Sequence, residues 1–135
     1  MKIQTQIRVL FAIILANFIA QVPYSIHQYG FSFLTNIRGI LLLGIVFFIF
    51  LAGYILLLRK QLSGYRLLVG FLAVEFAFYA LTLVGEVAQG FGPFYHLSNP
   101  SLLLRIVFGI GYLNLFASGY FLYLLARNKE KLLTP

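Results

Sequence analysis

The stretch Tyr65–Glu86, YRLLVGFLAVEFAFYALTLVGE, decides how the rest of the chain is read. A helix of about 20 apolar residues matches the hydrocarbon thickness of a bilayer, and Arg66 and Glu86 stand where its two interfaces fall. Glu75 therefore lies near the midplane. An acidic side chain there costs about 2.5 kcal/mol or more, so Glu75 must face protein or water, find a partner, or carry its proton.

The composition agrees with a membrane setting. Of 135 residues, 61% are hydrophobic and 10% charged, with a mean hydropathy of +0.95. One soluble core of this size cannot hide that much apolar surface. Ten Lys and Arg against three acids would suit nucleic acid in a soluble domain. Here the cations cluster at the ends of apolar segments, so they read as membrane orientation signals, and nucleic acid is not an expected partner. The chain has no cysteine, which removes disulfides, thiolate metal sites and thiol redox chemistry.

Four spans are expected within a single transmembrane domain covering residues 1–135. The first runs from about residue 6 to 22, and Pro23 is expected to close it. Its charged start and apolar run also resemble a signal peptide, but we read it as the first membrane helix. The second span, about 37–58, has no polar side chain at its centre. The basic turn RKQLSGYR (59–66) follows, with Ser63 and Gly64 expected to break the helical pattern. So short a link makes an antiparallel hairpin with the third span, about 65–86. The fourth, about 102–125, precedes a polar tail. The two long loops are rich in Gly, Pro and aromatics, as suits the headgroup region.

Sorted by loop, Lys2, Arg8, Arg59, Lys60, Arg66, Arg127, Lys129 and Lys131 share one side, against Arg38 and Arg105 on the other. The fold expected is thus an all-α integral membrane bundle of four transmembrane helices, multi-pass in a cytoplasmic (inner) membrane with both termini inside. Arg8 precedes Asn17 by the spacing that separates Arg66 from Glu75, so the bundle is also open to a reading as two tandem helical hairpins.

The candidate site is polar and intramembrane. Tyr79, Thr82 and Glu86 follow Glu75 at four, seven and eleven residues and project within a narrow arc of one helix. Asn17, Gln21 and Tyr24 occupy the corresponding arc of the first helix, and Asn114 with Ser118 forms a weaker polar face on the fourth. Such groups either hydrogen-bond helices together or line a proton, cation or substrate path. Arg38 and Arg105 are candidates for outer-surface contact with an anion or lipid phosphate. His27 and His96 are weak metal-ligand candidates, lacking the helical spacing of a metal motif, and no metal or other cofactor is assigned. Two ridges of small residues, Ala12, Ala16, Ala20 and Gly70, Ala73, Ala77, permit close helix packing within the chain or across a dimer.

No nucleophile–base set, acid pair or phosphate-binding loop is present, so an enzyme is the less favoured reading. The expected function is that of a small polytopic membrane protein working by association, as a homo-oligomer or as an accessory subunit of a larger membrane complex within the lipid bilayer. The alternative is a small oligomeric transporter or channel using Glu75 as a proton or cation site.

Overall fold

Residues 2–29, 37–88 and 102–134 are described by the computed structural model, and every regular element among them is a helix: α1 (Ile3–Tyr29), α2 (Ile37–Leu58), α3 (Leu62–Ala88), α4 (Leu102–Arg127) and the short α5 (Lys129–Leu133). Two segments are long and apolar enough to cross a membrane, Ile3–Ala20 and Leu62–Gly85. Leu43–Leu58 is a shorter apolar stretch of the same kind.

The boundaries of α2 coincide with those read from the sequence; those of α1 do not. α1 continues through Pro23 to Tyr29. Proline removes only one backbone hydrogen bond, and its fixed φ is itself helical. Likewise α3 begins at Leu62, so Ser63 and Gly64 lie in its first turn, not in a break.

The chain reverses between α2 and α3 over Arg59–Gln61. The Lys60 amide donates to the Leu57 carbonyl at 2.8 Å and the Gln61 amide to the Leu56 carbonyl at 3.0 Å, which together make a Schellman C-cap. That cap needs a left-handed residue, and Lys60 supplies it at φ 58°, where glycine would be the less strained choice. Directly after the turn, α3 runs so close to α2 that a Cβ on Gly64 would lie 2.6 Å from Leu56 Cβ. Gly53 on α2 receives Leu68 of α3 in the same way, 3.1 Å from its Cγ to the same imagined Cβ.

α3 also packs on α4, and α4 on α1. The Phe76 ring of α3 fills the space at Gly119, where an added Cβ would lie 2.9 Å from it. α1 meets α2 through rings: Phe11 stacks on Tyr54 and Phe50 at centroid distances of 3.8 and 4.9 Å, and Phe18 meets Phe47 edge-on at 6.0 Å. Phe71 of α3 joins them, 4.8 Å from Phe50. The two halves of the chain therefore differ in packing, since α3 and α4 make a close helix pair whereas α1 and α2 are bridged by aromatic side chains.

These contacts fix direction. Phe11 pairs with Tyr54 and Phe18 with Phe47, so α1 and α2 are antiparallel; the tight turn makes α2 and α3 antiparallel as well. Lys129 Nζ sits 5.7 Å from the Tyr65 ring centroid, bringing the end of α4 beside the start of α3. Lys2, Arg8, Arg59, Lys60, Arg66, Arg127, Lys129 and Lys131 consequently gather at one end of the bundle. Leu132 and Leu133 of α5 are partly buried against the core there.

The core holds Ile14, Phe50, Leu68, Leu72, Phe121 and Leu125, all fully buried. The outside is equally apolar: Val74, Leu81 and Phe116 are each 72% exposed. Both small-residue ridges point outward, with Ala12, Ala16, Gly70, Ala73 and Ala77 exposed and Ala20 half-exposed. Neither is used for packing between the helices of this chain.

Candidate functional site

Polar residues from three helices meet at one level. Asn17 is one position from the midpoint of α1, Glu75 is the midpoint of α3, and Asn114 is at the centre of α4. Because these helices pack side by side and alternate in direction, their centres are at a common height. Each of the three takes a polar partner from a neighbouring helix there, since apolar residues offer none.

Asn114 Nδ2 donates to Glu75 Oε2 at 2.9 Å, joining α4 to α3. One turn along α3, Tyr79 Oη accepts from Asn17 Nδ2 at 2.7 Å, joining α3 to α1. The spacing of four residues puts Glu75 and Tyr79 on one face, so a single helix serves both neighbours. Gly111 helps: an added Cβ would touch the Tyr79 ring at 3.6 Å, so the missing side chain leaves α4 open to that ring. Asn17 is 2% exposed and Asn114 0%. Glu75 and Tyr79 are half-buried.

The other half of each amide is unmet. Asn17 Oδ1 and Asn114 Oδ1 are buried without a hydrogen-bond partner. Turning the Asn17 amide over would exchange an unpaired carbonyl for an unpaired NH2, and turning Asn114 would press its carbonyl against a Glu75 oxygen. A buried amide oxygen without a partner costs about 1–3 kcal/mol, so two of them in one place mark the cluster as a local departure from a fully satisfied core.

The remaining sequence candidates divide. Ser118, fully buried, lies one turn beyond Asn114 and spends its hydroxyl on the Leu115 carbonyl at 3.0 Å. Thr82 is exposed and donates to the Phe78 carbonyl of its own helix at 2.9 Å, away from Glu75. Gln21, Tyr24 and His27 are on α1, Arg38 on α2, Glu86 on α3 and Arg105 on α4, with side chains outside the described set; His96 lies outside the described residues altogether. Among the described residues no three His, Cys, Asp or Glu side chains gather in a metal-binding group.

Sequence reading named every member of the cluster but not its pairing. It treated Glu75, Tyr79, Thr82 and Glu86 as one stripe, whereas Tyr79 pairs with Asn17 and Thr82 turns back on its own helix. No signal in one helix could reveal that, because pairing depends on how far each neighbour is rotated. Comparison of the chain with known protein families, characterised proteins and solved structures gives no match.

Proposed function

We propose that this chain is a four-span, multi-pass protein of a cytoplasmic (inner) membrane, with both termini inside, and that it works by association, with itself or as an accessory subunit of a larger membrane complex. The observation that carries this reading is the outward position of both small-residue ridges, Ala12–Ala16 on α1 and Gly70–Ala73–Ala77 on α3. Small residues on a lipid-facing surface let a second helix approach the backbone closely, and such packing drives association where water does not. The polar groups inside the bundle have the complementary task of holding α1, α3 and α4 in register.

Ala73→Leu is expected to lower self-association at least tenfold, measured by single-molecule photobleaching in bilayers of fixed composition. The monomer should unfold as before, since Ala73 is exposed. A dimer fraction that ignores substitutions at Gly70, Ala73, Ala12 and Ala16 alike, or a chain that is monomeric and partnerless at all densities, contradicts the association reading.

Orientation follows from the cationic end of the bundle, which the positive-inside rule assigns to the cytoplasm. A cysteine placed at Ser63 should resist impermeant thiol reagents in intact cells, and one at Ser98 should react. The opposite labelling rejects the topology.

A second reading is favoured by the unpaired amide oxygens of Asn114, bonded to Glu75, and of Asn17, bonded to Tyr79 one turn along: a small oligomeric transporter or channel that moves a proton or cation through this centre. Glu75→Gln abolishing flux in reconstituted vesicles while the bundle stays folded would support it. Full flux with Gln would remove Glu75 from any transport path.

A further inference from the structure

We infer that Asn17, Glu75, Tyr79 and Asn114 form a binding site for one small monovalent cation at the centre of the bundle. This goes beyond association. It requires no movement of the ion across the membrane.

The site is defined by what its oxygens lack. Asn114 Oδ1 shares its Cγ with the nitrogen that donates to Glu75, and Asn17 Oδ1 shares its Cγ with the nitrogen that donates to Tyr79. By amide geometry each unpaired carbonyl is within about 5 Å of the acceptor its own NH2 engages. A carboxyl group, a phenol and two amide oxygens thus come from three helices with an excess of acceptors over donors. A positive species with no acceptor of its own meets that need. Among the described residues nothing else does, because their Lys and Arg side chains stand at the cationic end of the bundle.

Charge selects the class. One carboxylate with neutral oxygens balances one positive charge, and in an apolar surrounding a balanced site is far less costly than a charged one. Calcium sites use six to eight oxygens with several carboxylates, and magnesium keeps its water, so a divalent ion would bring surplus charge here. Transition metals favour imidazole and thiolate, and among the described residues no His or Cys joins the cluster.

The test is thermal unfolding of the purified chain in a zwitterionic detergent, followed by tyrosine fluorescence. Sodium, potassium or ammonium chloride is exchanged against N-methylglucamine chloride at constant ionic strength. A specific ion stabilises the folded state with a saturating, one-site dependence, rising by several degrees over about a hundredfold in concentration. At least one of the three small cations should do this, and the bulky one should not. Glu75→Gln keeps an acceptor for Asn114 and should abolish the rise. Tyr79→Phe should raise the half-saturating concentration severalfold and serves as the arbiter where Gln does not fold. Equal midpoints in all four salts overturn the proposal and leave water as the filler of the unpaired oxygens. A rise that survives in Glu75→Gln, or a half-saturation unmoved in Tyr79→Phe, overturns it too by placing the ion elsewhere. Binding without flux in vesicles rejects the transport reading and leaves the site standing.

Discussion

Asn114→Leu is expected to destabilise the bundle by about 2 kcal/mol, because it removes the N–H donor to Glu75 and leaves that carboxyl group in an apolar setting without its interhelical partner. This exceeds the ~0.6 kcal/mol average for hydrogen bonds between membrane helices. The reason is geometric, since Asn114 is fully buried. Glu75→Gln should cost under about 1 kcal/mol, as its side-chain oxygen can accept the same bond. Glu75→Leu should resemble Asn114→Leu, now stranding both ends of the Asn114 amide. Equilibrium unfolding in mixed micelles measures all three, and equal stabilities for the Gln and Leu variants at position 75 would remove the hydrogen bond from the account.

Gly64→Val is expected to lower stability by about 3 kcal/mol, and more where the hairpin cannot open. Any Cβ at Gly64 meets the backbone of Leu56 and Leu57 and comes 2.6 Å from Leu56 Cβ. Backbone cannot turn aside as a side chain can, and the Schellman cap holds this end of α2 in place. α2 and α3 must therefore separate at the turn. Gly44→Ala is the informative contrast, because a Cβ there meets nothing within 4 Å. It should stabilise α2 by up to about 1 kcal/mol through helix propensity alone. The same unfolding assay decides, and a neutral Gly64→Val would mean that the hairpin is more open than described.

Much of this architecture was legible because membrane-length helices announce themselves by continuous apolar runs. The bounds of α2, from Ile37 to Leu58, were read directly. What an apolar run hides is its facing: a helix that is hydrophobic all round gives no periodic signal of which side is inside. The layer of Phe11, Phe18, Phe47, Phe50 and Phe71 could not be told from outward-facing aromatics such as Phe48 and Phe78, which are 66% and 64% exposed. The small-residue ridges were visible, but not that they face outward. Polar residues are the exception, since one interrupting an apolar run has few places to go. Asn17, Glu75 and Asn114 were therefore legible as candidates. Their central alignment required the true helix ends, which Pro23 obscured on α1. The packing of Leu132 and Leu133 against the core was missed because five residues of α5 carry no pattern of their own.

The central claim is that Glu75 and Asn114 act as one interhelical unit at the middle of the bundle. A double-mutant cycle tests it most directly, with Glu75→Leu, Asn114→Leu and the combined variant unfolded under identical conditions. Replacing both partners by apolar groups strands neither, so the double variant should be less destabilised than the sum of the single variants. A coupling of about 1 kcal/mol or more is the expected result. Strict additivity, with the double variant losing the full sum, would contradict the account.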